Sequence, residues 1–207
     1  MTGNNGELVQ IEAQTLAHYT RNAEAFWAGT RDHDVSQNRA ALLAPFPAGQ
    51  ALDILDFGCG PGRDLRWFRE QGHRAVGLDG CPAFCRMARD YSGCEVWQQQ
   101  FLQLDLPPAR FDAIFANASL FHVPSAELPR VLRELHSALR PGGILFTSNP
   151  RGNGEGWSGE RYGLWLEFDD SRAYLEAAGF TVIDHYYRPP GLPLGQQPWL
   201  AIVSRKA

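Results

Sequence analysis

Gly58, Gly60 and Gly62 stand at every second position after the apolar run Ile54-Leu55-Asp56-Phe57, and Arg63-Asp64 follow at once. Lacking Cβ atoms, such a turn takes positive φ and lets a ligand approach the backbone, beside the free N–H groups that open the next helix. That is chemistry for holding a nucleotide-like ligand. A dinucleotide fingerprint is excluded, because with Gly58 and Gly60 in the first two places of G-x-G-x-x-G the third falls on Arg63. Val76-Gly77-Leu78-Asp79-Gly80 brings a carboxylate to the end of another apolar run. An acid about twenty residues past the turn can accept both hydroxyl protons of a ribose. Arg63 suits a ligand carboxylate, while Asp64 suits the positive end of a helix. His122 is a residue type that removes protons at neutral pH, or else a structural histidine.

These groups need elements to hold them. Residues 51–57 have the length and apolar character of a buried strand, and Leu65, Trp67 and Phe68 then follow a helical period. Further strands are expected near 74–79, 94–99, 111–117, 142–148, 180–187 and 198–205, alternating with helices as in a parallel sheet covered on both faces. Leu128, Val131, Leu132, Leu135 and Leu139 make one helix face, with Pro129 tolerated in the first turn. Pro189-Pro190-Gly191-Leu192-Pro193 is too short for a crossover helix, so the last two strands are expected to be antiparallel neighbours. Upstream, residues 11–29 are helix-compatible, with Leu16, Tyr19, Ala23 and Phe26 three or four apart. Pro45-Phe46-Pro47 then separates residues 1–48 from the sheet. Residues 151–163 hold five glycines and read as a mobile loop, and Ser148-Asn149-Pro150-Arg151 reads as a turn.

Asp56-x-Gly58-x-Gly60-x-Gly62 resembles the first motif of the class I S-adenosylmethionine-dependent methyltransferases. Asp79, Phe111-Asp112-Ala113-Ile114-Phe115-Ala116-Asn117, Leu120-Phe121-His122-Val123-Pro124 and Leu139-Arg140-Pro141-Gly142-Gly143 are similar to later family segments, in the family's order. A looser similarity to a small bacterial-type branch, type 11/12-like, extends through Tyr19-x-x-Asn22-Ala23-x-x-Phe26 to Trp199-Leu200. The resemblance implies one Rossmann-like α/β domain over 1–207: a seven-stranded, mostly parallel sheet ending in an antiparallel hairpin, with 1–48 as a helical lid and 49–207 as the core. It implies S-adenosyl-L-methionine as cofactor, S-adenosyl-L-homocysteine as product, and a small-molecule acceptor methylated at oxygen, nitrogen or sulfur. By the same resemblance Asp56, Gly58, Gly60 and Gly62 form the cofactor loop, with Arg63 nearby. Asp79 holds the ribose, and Asn117 with Ala118 flanks the methionine part. Tyr19 and the Phe26-Trp27 pair face the donor pocket from the lid, with Trp27 also expected to meet the acceptor. Where many members carry an acid after the third strand this chain has Gln100, whose carbonyl still accepts a hydrogen bond from an adenine amine. Ser119 and Phe121 are expected as pocket walls, His122 as the catalytic base, and Arg151, Arg161 and Tyr162 as acceptor-binding residues.

Composition narrows the class. Hydrophobic residues make up 44% of 207, an ordinary globular content. A net charge of −4, with Lys and Arg scattered, offers no basic field for nucleic acid. Asn117-Ala118-Ser119-Leu120 also lacks the proline-rich acidic motif that the family's adenine-in-DNA enzymes carry there. No apolar run is long enough to span a bilayer and no signal-peptide pattern opens the chain, so a cytoplasmic monomer or homodimer is expected. Cys59, Cys81, Cys85 and Cys94 form no C-x-x-C pair, and no metal is expected. Cys59 and Cys81 flank the glycine turn, where thiol chemistry is conceivable. The competing readings are a non-catalytic donor-binding protein of the same fold and, more weakly, a nicotinamide oxidoreductase.

Overall fold

The computed structural model describes the backbone of residues 3–207 and the side chains of residues 6–207. Seven strands form one sheet: β1 (Asp53–Phe57), β2 (Arg74–Asp79), β3 (Glu95–Gln98), β4 (Phe111–Asn117), β5 (Leu139–Pro150), β8 (Phe180–Arg188) and β9 (Trp199–Lys206). A separate two-stranded ribbon consists of β6 (Gly154–Ser158) and β7 (Arg161–Trp165). The sheet order is β3-β2-β1-β4-β5-β9-β8, with every pair from β3 to β5 parallel and both pairs involving β9 antiparallel. Successive strands run outward from β1 to β3 on one side and from β4 on the other, so the strand order switches between β1 and β4. Crevices of this kind, outside the carboxyl ends of the strands, are where open α/β sheets bind ligands.

The sheet buries apolar side chains on both faces, as parallel strands do. Leu55, Phe57 and Ile114 pack on one side with the apolar face of α6 (Leu128–Ala138), whose Val131, Leu132 and Leu135 are buried. Ile54, Phe115 and Phe146 pack on the other side with Phe68 of α4 (Arg63–Glu70). The remaining helices are α1 (Gly3–Arg21), α2 (Ala23–Thr30), α3 (Ser36–Leu43), α5 (Pro82–Ser92) and α7 (Phe168–Ala177). Among the described residues no helix is long and apolar enough to cross a membrane.

Three local expectations are corrected. Residues 151–163 are largely a hairpin rather than a mobile loop. Its glycines hid the strand alternation, yet Gly156 pairs with Gly163, Trp157 with Tyr162, and the turn passes through Gly159 at φ +60°. Ser148-Asn149-Pro150 is strand rather than turn, paired with Ala201-Leu200-Trp199 of β9. Pro150 lies beyond the end of β4, which stops at the Asn117–Ser148 pair, so no ladder bond on that side is lost to its missing N–H.

The third correction concerns α3, which belongs to the packing of the sheet although its sequence stands with the lid. Leu42 is fully buried among Ile54, Phe68 and Phe115. Asn38, also fully buried, donates to Asn117 and accepts from Tyr186 on β8. Only α1 and α2 stand over the carboxyl ends of the strands. Leu42→Ala is therefore expected to cost about 2–5 kcal/mol of stability in urea unfolding. A change within a few tenths would return α3 to the lid.

Candidate functional site

A cavity of about 640 Å³ opens at the carboxyl ends of β1, β2 and β4, roofed by α1 and α2. Its floor is the glycine turn. Gly58 N–H and Cys59 N–H both donate to the Leu78 carbonyl, at 2.8 and 3.0 Å, tying the turn to β2. Gly58 has φ +76°, and a Cβ there would stand 2.3 Å from Ser119 Cβ. Gly62, at φ +93°, precedes α4, and a Cβ there would stand 2.8 Å from the Ala88 Cα of α5. Gly62 thus lies behind the cavity wall and lets two helices approach, while Gly58 and Gly60 line the cavity itself.

Asp79 closes β2 against this turn. Its Oδ2 accepts Gly60 N–H at 2.9 Å and its Oδ1 accepts Cys81 N–H at 2.8 Å, leaving each oxygen a further lone pair toward the cavity. Burial pushes this carboxyl up to about 6, against the lowering effect of the backbone donors. Asp56 is also buried, and its Oδ2 has no hydrogen-bond partner among the described residues. Desolvation first, then repulsion from Asp64, raises Asp56 well above the usual carboxylate range although Arg63 works the other way. Asp64 itself is matched by cations: Arg63 Nη2 and Arg39 Nε each donate to it at 2.7 Å. Arg63 Nη1 donates to the Thr30 carbonyl at 2.8 Å, so the protein already occupies both ends of the guanidinium expected to meet a ligand carboxylate.

Gln100, expected to meet an adenine, lines the cavity next to Phe101, whose ring stacks 4.4 Å from Phe57. Glu12 on α1 accepts Leu102 N–H at 3.0 Å and also lines the cavity. Sequence reasoning missed Glu12. Its signal was helical spacing, since Glu12, Leu16 and Tyr19 share one face of α1.

After β4, Asn117 lines the cavity with its Oδ1 bound to Asn38, and Ala118 takes φ +60°. Ser119 Oγ donates to the Phe57 carbonyl at 2.7 Å. His122 Nδ1 lies 2.7 Å from the Tyr162 carbonyl, which can only accept, so Nδ1 carries the proton. Nε2 then accepts from the Tyr19 hydroxyl at 2.8 Å. Burial pushes the imidazole down to about 4, with the Tyr162 carbonyl opposing and Arg161 adding to the shift. Both ring nitrogens are thus engaged and the ring is neutral at ordinary pH. Arg161 Nη1 reaches the same tyrosine oxygen at 3.3 Å. The joint connects α1, the turn after β4 and the β6–β7 hairpin across the mouth. Tyr19, Phe26 and Phe84 pack edge-on or tilted below it, with centroids 5.1–5.5 Å apart.

Trp27, Ser119, Phe121 and Arg161 line the cavity, whereas Arg151 and the Tyr162 side chain do not. Arg151 pairs with Glu167 at 2.9 Å, donates to Leu194 O and lies over Tyr187, fastening the β8–β9 connection. Tyr162 contributes its backbone, while its ring sits edge-on to Trp157. The structure adds Arg188 to the wall, beside Pro189 and Trp199. No period or motif marked it, because a strand-end arginine resembles any solvated charge until the fold turns it inward. Burial raises Cys59 well above the thiol range and Cys85 to about 12, which disfavours thiolate chemistry beside the turn. Among the described residues no group of three metal-ligating side chains occurs.

Comparison with known proteins agrees with this geometry. A family model described as a methyltransferase domain matches residues 54–143. Trans-aconitate 2-methyltransferase of Azoarcus sp. (strain BH72) is 38% identical over 121 residues, 56% of this chain and 46% of that protein. A malonyl-[acyl-carrier protein] O-methyltransferase of Pectobacterium atrosepticum is 28% identical over 173 residues, 81% of this chain and 66% of that protein. The chain thus spans about half the length of the first of these relatives and about two thirds of the second. The crystal structure of Burkholderia thailandensis 1,6-didemethyltoxoflavin-N1-methyltransferase, with bound 1,6-didemethyltoxoflavin and S-adenosylhomocysteine, superposes with a TM-score of 0.77 at 25% identity. That match covers 97% of this chain and 90% of that one. The sheet, its switch point and the glycine turn define a Rossmann-like class I methyltransferase fold. Residues 54–143 are thus similar to the methyltransferase domain of known methyltransferases.

The engaged, neutral His122 is directly testable. In nitrogen-15 spectra its ring is expected as the neutral Nδ1–H tautomer from about pH 5 to about pH 8. An unfolded chain takes up that proton near 6.5 and the folded one only near 4, so acidification through this window removes stability. An Nε2–H tautomer, or titration above about 6, would contradict the joint.

Proposed function

We propose that the protein transfers a methyl group from S-adenosyl-L-methionine to a small-molecule nucleophile at oxygen, nitrogen or sulfur, releasing S-adenosyl-L-homocysteine. The observation that carries this reading is the pair of buried carboxylates at the glycine turn. Asp56 has an oxygen without a partner, Asp79 has lone pairs facing the cavity, and burial has raised both. Such a wall suits a ligand bearing hydroxyls and positive charge. The cavity volume lies within the ordinary range for small-molecule sites, about 300–1,000 Å³.

In this reading Asp79 holds the ribose hydroxyls, Gly58 and Gly60 give backbone access, and the Gln100 carbonyl accepts from the adenine amine. Asp56, Asn117 and Ala118 face the methionine part. When bound, the donor supplies a methyl group on a positively charged sulfur, a leaving group that needs no activation. What remains for the protein is alignment and the exclusion of water. Tyr19, Phe26 and Trp27 form the apolar roof for that task, and the Tyr19–His122–Tyr162 joint holds the roof down. His122, expected as a base, serves here as part of that joint. A net charge of −4 and the absence of a basic stripe favour a small acceptor over a nucleic acid. A non-catalytic donor-binding protein is the second reading, favoured by the lack of a free base at His122.

Isothermal titration with S-adenosylhomocysteine is expected to show binding that Asp79→Ala weakens about tenfold or more, the usual scale for a lost bond to a charged group. Unchanged affinity in that variant removes the ribose role. An acceptor screen with product masses recorded decides between transfer, seen as one added methyl, and binding alone.

A further inference from the structure

Three arginines face the cavity, and they are not equivalent. Arg63 is neutralised by Asp64 at 2.7 Å. Arg161 forms no ion pair among the described residues. Its Nη1 donates to the neutral hydroxyl of Tyr19, and the adjacent Glu160 is already taken by His18 and Arg21. Arg188 donates Nη2 to the backbone carbonyl of Asp34, while its buried Nε has no partner. The Asp34 carboxylate, on the same cavity lining, accepts Ser36 N–H and feels the charge of Arg188 without forming a direct ion pair with it among the described residues. By contrast Arg39, Arg130, Arg140 and Arg151, all away from the mouth, are matched with acids at 2.6–2.9 Å. A guanidinium is a planar fork shaped for a carboxylate. Two such forks, from the hairpin and from the end of β8, reach one cavity without a protein acid to fill them.

The polar groups near Arg161 point the same way. Ser119 donates to Phe57 O, Tyr19 donates to His122, and His122 donates to Tyr162 O, so none of them is free to take a proton from an acceptor. A neutral alcohol or ammonium acceptor has to lose a proton during methylation, whereas a carboxylate does not. Pairing with an arginine fork ties up both oxygens of a carboxylate, so the carboxylate that anchors and the one that reacts are different groups.

We propose that the methyl acceptor is a small acid with two or more carboxylates, anchored by Arg161 and Arg188 and methylated on a carboxylate oxygen to give a monoester. This deepens the methyltransferase reading and rests on it. An oxygen lone pair forms the new O–CH₃ bond, and the methyl–sulfur bond breaks with its electrons remaining on sulfur. The carboxylate's negative and the sulfonium's positive charge cancel, and no proton moves.

The test is calorimetric titration of succinate, fumarate, tricarballylate and citrate, and of their neutral amides, into the S-adenosylhomocysteine complex. At least one acid is expected to bind and its amide to be silent. R161Q and R188Q should each weaken the acid about tenfold or more, while in R188Q the affinity for S-adenosylhomocysteine stays within about twofold. R161K should recover part of the loss, which distinguishes charge from folding. The proposal is overturned if no acid in the panel binds the complex, if an amide binds as well as its acid, or if the R161Q/R188Q double variant keeps full affinity. In those cases S-adenosylhomocysteine still binds and the methyltransferase reading stands. Failure of S-adenosylhomocysteine to bind the native protein overturns both.

Discussion

Gly58 lies so close to Ser119 that a single added carbon would stand 2.3 Å from the serine Cβ, and one added at Gly62 would stand 2.8 Å from the Ala88 Cα of α5. The turn between β1 and α4 therefore cannot carry side chains at these positions, and the site is arranged around that constraint. Because the backbone is bare, Gly58 and Cys59 can both bond to Leu78 and bring the end of β2 alongside. Because β2 is alongside, Asp79 can receive Gly60 N–H and so fix the turn it borders. Ser119, held by its bond to Phe57, in turn sets where the chain leaves β4 and where His122 arrives.

The electrostatics of this floor are uneven. Three carboxylates gather there, and the protein supplies cations for only one of them. Asp64 sits between Arg39 and Arg63, while Asp56 and Asp79 are buried with backbone donors or with nothing. Elsewhere on the lining Arg161 and Arg188 form no ion pair among the described residues, although the Asp34 carboxylate shares that wall. Burial raises Asp56 and Asp79 at the floor, so a cationic ligand there would favour their ionised forms. With the two unpaired arginines, that arrangement is the basis for proposing a cationic donor and an anionic acceptor in one cavity.

Much of this was readable in advance, for identifiable reasons. The seven sheet strands and α6 announce themselves because a buried strand or an amphipathic helix writes its period into the chain. The turn and Asp79 are legible because few residue types tolerate those positions. Other features came only with the fold. The β6–β7 hairpin was hidden because its glycines carry no alternation, and it stands because it rests on α1 through Thr15, His18 and Arg21. The status of His122 depends on Tyr19 and Tyr162, which lie 103 and 40 residues away. Arg151 and Arg161 look alike in sequence, yet one is bound to Glu167 and the other faces the cavity. Partners distant along the chain decide such roles, and no local pattern encodes them.

The central claim is that the glycine turn and the two N-terminal helices enclose one methyl-donor site. Hydrogen–deuterium exchange with and without S-adenosylhomocysteine tests it most directly. Peptides covering residues 12–30 and 58–63 are predicted to exchange more slowly in the complex, while the outer strand β8 over residues 180–184 stays unchanged. Slowing at the turn without slowing over 12–30, or at neither, would contradict the account.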